Sequence, residues 1–285
     1  MEGVLKLEFA SRNGVTEIVD RYQQAPLHVQ KVLHPHLALP GMAWVHILTV
    51  TGGIVQGDRF RTEIVARDGT QVHLTTPGAT KIYRSPAAPA SHCLTIRAGA
   101  DTHVEYLPGP VIPFRGARFL EEVTLMAHPT ATLMYGSILT SGRVAMGESH
   151  AYDLFSSRVT AQRDDGVLEF LDVTHLAPAS VSPTLPGLLG SFDVLGTLHV
   201  VTGKVSGRDL GDRLHGILQD LDEGLAGVTE LPSGRGVTVR VLGPRAEPVA
   251  SVLQAVLTTA RATLLQEPEP RAAEPAPHSS PTTPH

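Results

Sequence analysis

Short runs of alternating apolar and polar residues, each soon closed by Gly, Pro or an Asp-Gly pair, dominate the first two-thirds of the chain. A period of two puts every second side chain on one face of a strand, so a chain of this kind must fold mainly as sheet. Leu5, Leu7 and Phe9 alternate with Lys6 and Glu8, and similar patterns return at 27–32, 43–50, 60–65, 71–75, 93–97, 103–107 and 119–125. Pro40-Gly41, Gly52-Gly53, Asp68-Gly69, Pro108-Gly109 and Asp165-Gly166 separate the runs. Gly suits these turns because it accepts positive φ at little steric cost. A further strand is expected over 197–202, ending at Gly203.

Helical periodicity appears only near the end. Leu210, Leu214, Ile217, Leu218 and Leu221 recur at helical spacing after Ser206, with Gly224 placed to stop the helix. A hairpin of 228–231 and 237–242 turns at Pro232-Ser233-Gly234. Pro248 suits the first turn of a second helix, whose buried face is Val249, Val252, Leu253, Val256, Leu257, Ala260 and Leu264. Beyond Gln266 the chain is rich in Pro, Ala, Ser and Thr without hydrophobic period. Residues 1–266 therefore read as one β-rich domain and 267–285 as a disordered Pro-rich tail.

Composition excludes several classes. A net charge of −5 argues against a nucleic-acid partner, which a basic face would recognise. The single cysteine, Cys93, rules out an internal disulfide framework. The N-terminus alternates charge with hydrophobe, unlike a signal peptide, and no apolar run approaches the roughly 18 residues of a membrane span. A cytoplasmic location is expected.

Local motifs give little chemistry singly. Thr51-Gly52-Gly53-Ile54-Val55-Gln56-Gly57-Asp58 suggests a phosphate loop, but Asp58-Arg59 stand where a nucleotide site needs Lys and a hydroxyl. A glycine-lined strand junction is the better reading. His34-Pro35-His36 and His92-Cys93 are conceivable nickel or zinc ligands, yet neither has a second pair at structural-zinc spacing. No Gly-x-Ser-x-Gly elbow is present, and Cys93 lacks a nucleophile's context. The carboxylates Asp58, Glu105, Glu148 and Asp172 have no spacing that joins them.

In order along the chain, five blocks resemble the urease accessory protein UreD (UreH) family. They are Thr51–Asp58 with Gly52, Gly53, Gly57 and Asp58; Thr75-Thr76 through Lys81-Ile82-Tyr83-Arg84; Val104-Glu105-Tyr106-Leu107-Pro108; Ile112-Pro113-Phe114-Arg115-Gly116-Ala117-Arg118; and Ser141-Gly142-Arg143-Val144-Ala145-Met146-Gly147-Glu148. The likeness covers roughly 3–265, and ordered blocks are far more specific than one short motif.

The resemblance implies a mainly β fold, a layered, β-helix-like stack of short strands with two helices in the C-terminal half. It implies no catalysis by this chain and no tightly bound cofactor. Its partners would be UreF directly, the GTPase UreG through UreF, and apo-urease, in a hetero-oligomer that promotes nickel insertion. Nickel would be transient cargo, carried through an internal tunnel. Such a tunnel needs sparse oxygen ligands that release the ion, and Asp58 is the first candidate, followed by Glu105 and Glu148. Two other readings stay open: an adaptor with no ion path, and a metal-dependent hydrolase that uses His34 and His36.

Overall fold

Parallel pairing between strands that lie far apart in sequence organises the computed structural model, which describes residues 1–219, 221 and 223–265. The chain opens with β1 (Glu2–Arg12), β2 (Val15–Gln24), β3 (Leu27–Val29) and β4 (Ala43–Thr49). It then winds through β5 (Arg59–Ala66), β6 (Gln71–Thr75), β7 (Thr80–Ile82), β8 (Ala90–Ala98), β9 (His103–Tyr106), β10 (Val111–Pro113), β11 (Arg118–Ala127) and β12 (Thr132–Thr140). β13 (Leu154–Arg163), β14 (Leu168–Leu176) and β15 (Val194–Thr202) follow. Then come α1 (Gly207–Leu218), β16 (Leu225–Glu230), β17 (Gly236–Gly243) and α2 (Ala246–Leu265).

Between β4 and β13 the chain passes repeatedly from one of two sheets to the other, which makes the expected β-helix-like stack. One sheet has the order β14-β13-β11-β8-β5-β1-β2, and the other runs β16-β17-β15-β12-β9-β6-β4-β3. Within the first, β1, β5, β8, β11 and β13 are all parallel, so equivalent residues of successive turns stack in rows along the solenoid axis. Leu7, Ile64, Ile96, Leu125 and Ala161 form one such row, and all are buried. Inward rows of this kind from both sheets build the main core. A second core lies on the outer face of the other sheet, where Met134, Leu198 and Val200 pack under the two helices.

α1 starts at Ser206, whose hydroxyl accepts the Asp209 N–H at 3.0 Å, and it buries Leu210, Leu214 and Leu218. Ile217, expected on that stripe, is exposed, and Leu221 lies beyond the helix end. α2 buries Val249, Leu253, Val256, Leu257, Ala260 and Leu264 as expected, and Arg261 with them. By length and composition alone, α2 would pass for a membrane span. Its apolar stripe is buried against the sheet and α1, which accounts for that composition.

Strands β2, β12, β13 and β14 carry no expectation from the sequence. β12 is buried on both faces and shows no alternation. β2 is an edge strand with a largely exposed, polar face. β7 shows no alternation in the sequence, and it is placed by its parallel pairing with β10. The expected tail 267–285 lies outside the described residues.

Candidate functional site

The family-like motifs assemble into one ridge, where the loops entering β5, β8, β11 and β13 stack. Ile54 N–H donates to Lys81 O at 2.8 Å, Tyr83 N–H to Ile54 O at 2.8 Å and Phe114 N–H to Ile82 O at 2.9 Å. Gly53 is dictated by close approach: a Cβ there would sit 2.6 Å from both the Lys81 carbonyl and the Tyr83 ring. The Tyr83 hydroxyl donates to Gly52 O at 3.3 Å, and its ring meets Phe114 edge-on at 4.9 Å. The Arg143 guanidinium lies 4.2 Å above Phe114 and is bonded to Glu148. Gly116 sits against the Arg84 side chain, and Arg84 bridges to Ala117. Gly142 has φ +136° with the Glu148 carbonyl too close for a side chain, and Gly57 and Gly147 turn at φ +72° and +71°. Thr75, Thr76 and Pro108 belong to a neighbouring corner. There the Thr75 hydroxyl donates to Leu107 O at 2.8 Å, and the Thr76 hydroxyl accepts from Gly109 N–H at 2.9 Å.

The three carboxylates expected along an ion path lie in separate settings. Asp58 is buried and accepts the Met1 amine and the Val55 N–H, each at 2.9 Å, which closes the Gly57-Asp58 turn. Glu148 accepts Arg143 at 2.6 and 2.8 Å, and Arg143, ahead of burial, holds its carboxyl below the usual range. Glu105 points out of the solenoid into the layer under α2 and is completely buried. Arg261 donates to it twice, at 2.6 and 2.7 Å, and His73 and His103 once each at 2.7 Å. Burial pushes the Glu105 carboxyl up, but Arg261 first, then His103 and His73, pull it well below the ordinary value. Arg261 arrives from 156 residues away, so no local spacing announces this cluster.

A different set of polar residues faces the lumen. Across the first sheet, Phe60, His92, Glu121, Ser157 and Thr174 occupy one register row, and Asp172 stands in the next beside Val159. Thr62 contacts His92 at 3.0 Å, and the Ser157 hydroxyl donates to Glu121 at 2.8 Å. From the other sheet, Tyr106, Tyr135 and His199 stack in a row, with centroids 5.9 and 6.4 Å apart. Glu121, Tyr135, Ser157, Asp172, Thr197 and His199 line a largely enclosed cavity of about 40 Å³, room for a few water molecules. This polar file follows the solenoid axis through an otherwise apolar interior.

His92 and Cys93, considered above as one metal pair, point to opposite faces of β8: His92 lies inward and Cys93 is exposed. His34 contacts Thr16 O at 3.1 Å, while His36 accepts the Leu39 N–H and lies 3.4 Å from Arg261. Among the described residues, no three of His, Cys, Asp and Glu converge as a metal centre.

Comparison with known proteins agrees with this architecture. The UreD urease accessory protein family profile matches residues 1–274. Urease accessory protein UreD 2 of Streptomyces griseus is 38% identical over 270 residues, covering 94% of this chain and 92% of that protein. UreD of Cenarchaeum symbiosum is 35% identical over 258 residues, 90% of each chain. UreD of Haloarcula marismortui is 38% identical over 269 residues, covering 94% and 89%. With a profile matched over nearly all its length and relatives of this similarity in two domains of life, the chain belongs to the UreD urease accessory protein family.

Proposed function

We propose that this chain is a non-catalytic subunit of the urease maturation apparatus that passes nickel along its lumen. In this reading it binds UreF directly and the GTPase UreG through UreF, in the cytoplasm, and the assembly docks on apo-urease. It holds no resident cofactor, and nickel is cargo. The observation that carries the proposal is the axial file His92–Glu121–Ser157–Thr174, with Asp172 and His199 at its end, set inside apolar walls. Sparse oxygen and imidazole ligands bind a divalent ion weakly enough to release it, as conduction demands.

Asp58, Glu105 and Glu148 enter this proposal as ion-paired carboxylates. Each would exchange its present cation, respectively the Met1 amine, Arg261 or Arg143, to touch nickel. Asp58→Ala would then keep assembly with UreF and lower activation. Glu121 is held differently: one oxygen accepts the neutral Ser157 hydroxyl at 2.8 Å, and the other lies 3.8 Å from the His92 imidazole.

The test is co-expression of the urease subunits, UreF and UreG with this chain at limiting nickel. Active urease should form only when the chain is present. Glu121→Gln should lower activation and be rescued by excess nickel. An unchanged activation profile for Glu121→Gln would favour an adaptor without an ion path.

A further inference from the structure

Both helices pack on the sheet that contains β12 and β15, so among the described residues no element covers the outer face of the other sheet. Its seven strands, about 4.8 Å apart and about 25 Å long, present on the order of 800 Å². That is the area one partner contributes to a standard specific interface. Register fixes what stands there. Phe60, Leu94, Val123 and Val159 point inward, so Arg59 and Arg61 of β5, Arg97 of β8, Arg118 of β11 and Arg158 of β13 point outward. On these four strands only Glu63 and Glu122 oppose them from the same face, and Lys6 already holds Glu63 at 3.1 Å. Elsewhere Arg143, Arg163, Arg235, Arg240 and Arg261 each hold a carboxylate. The five arginines of this face hold none among the described residues, although the chain as a whole carries −5.

We infer that this outer face is a docking surface for an acidic protein surface, with Arg61, Arg97 and Arg158 as its anchors. All three are exposed, and the four strands that carry the arginines contain no Lys. Arg is enriched and Lys depleted at protein interfaces, because the planar guanidinium fork matches a carboxylate bidentately and is weakly hydrated. The pattern between the anchors favours protein carboxylates over phosphates. Arg61, Cys93, Glu122 and Arg158 occupy one register row across β5, β8, β11 and β13, so an anion stands between two cations. A continuous phosphate backbone would meet Glu122 in the middle of that row. A folded partner can set a carboxylate over each Arg and a neutral or basic group over Glu122. In the next row Leu120, 40% exposed, stands between Ser91 and Ser156 and offers an apolar contact inside the charged ring.

This surface rests on the reading of the chain as a subunit of an assembly, not on nickel passage. Binding of the purified full-length chain to apo-urease and to the UreF–UreG complex is measured by biolayer interferometry at 50 and 300 mM NaCl. Polyglutamate, duplex DNA and phosphatidylserine vesicles serve as further probes. The combined variant Arg61→Glu, Arg97→Glu, Arg158→Glu should bind one of the two protein probes at least about tenfold more weakly. Replacing the same three residues by Lys keeps the charge and should still weaken it several-fold. Lys204→Glu, Arg208→Glu, Arg213→Glu on the helix side makes the same charge change and should bind as wild type. Wild-type binding should fall several-fold at the higher salt. Binding of both protein probes within about twofold of wild type in the Arg→Glu variant overturns the surface. So does equal weakening in the helix-side variant, or tighter binding to DNA or vesicles than to either protein probe. If the surface falls while urease activation still requires the chain, the proposed function stands. If wild type binds neither protein probe, the proposed function fails. Polyglutamate binding lost in the Arg→Glu variant and kept in the helix-side one would then still carry the surface, and any other polyglutamate result would overturn it.

Discussion

Glu105→Gln is the substitution expected to damage the protein most for the smallest change in shape. It removes the charge from a carboxylate that is 0% exposed and takes from the Arg261 guanidinium, 5% exposed, the anion that it meets at 2.6 Å. Breaking a buried pair from one side costs about 3–5 kcal/mol, because the surviving charge is stranded in a medium that solvates it poorly. With a urea slope near 3 kcal/mol per molar, that shifts the midpoint down by roughly 1–2 M. Arg261→Met should cost a similar amount from the other side. The double variant should fall short of the sum by about 2 kcal/mol, since the second removal strands nothing further. The pH dependence has a definite sign. The folded Glu105 pKa lies below the ordinary value. Its contribution is therefore complete above the unfolded pKa of about 4.3 and is lost as pH falls through the folded value. Wild type should lose stability from about pH 5 downward along a steeper curve than Glu105→Gln. The assays are urea unfolding across pH and hydrogen exchange of α2, whose amides should lose protection first. Additivity of the two single variants within about 0.5 kcal/mol would refute the reasoning.

Three further outcomes follow from the same structure. Gly53→Ala should destabilise by about 1–3 kcal/mol, measured by thermal unfolding, because its Cβ has to displace the Lys81 carbonyl and the Tyr83 ring. Ile96→Ala should cost about 2–5 kcal/mol by denaturant titration, since the row Leu7–Ile64–Ile96–Leu125 cannot close over the gap without moving neighbouring turns. Cys93 is exposed, yet burial of its thiol and the nearby Glu122 carboxylate push its pKa up. Iodoacetamide should therefore modify Cys93 fully but several-fold more slowly at pH 8 than it modifies free cysteine.

The fold was legible where strands bury one face. β5, β8 and β11 show inward Phe60, Leu94 and Val123 alternating with outward Arg61, Cys93 and Glu122, and the sequence reading finds all three strands. It misses β12, because Leu133 faces the lumen while Met134 faces the helices, and both neighbours are apolar. It misses β14 for a related reason. Leu171 and Val173 are exposed on its outer face while Asp172 and Thr174 turn inward, the reverse of the rule that apolar residues point in. That inversion is itself a signal. A strand with polar residues toward the interior and apolar ones toward solvent borders a polar cavity on one side and an uncovered surface on the other.

The polar file was hidden by the geometry that creates it. In a parallel solenoid, neighbours along the axis come from successive turns, so His92, Glu121 and Ser157 touch through register although 29 and 36 positions separate them. Sequence motifs are made of residues close along the chain, as in Gly52–Asp58 and Ser141–Glu148. Those blocks specify how the corners stack: Gly53 admits Tyr83, Tyr83 meets Phe114, and Phe114 carries Arg143. Corner stacking fixes strand register, and register decides that Glu121 falls opposite Ser157 instead of one residue away on the outer face. A corner substitution that slipped one turn by a single residue would turn Glu121 out of the lumen and bring Glu122 or Leu120 in. The family-like residues on the ridge thus act on the polar file without lining it. Gly53→Ala should accordingly depress nickel-limited urease activation in any fraction that stays folded, and Glu121→Gln should add little to that loss.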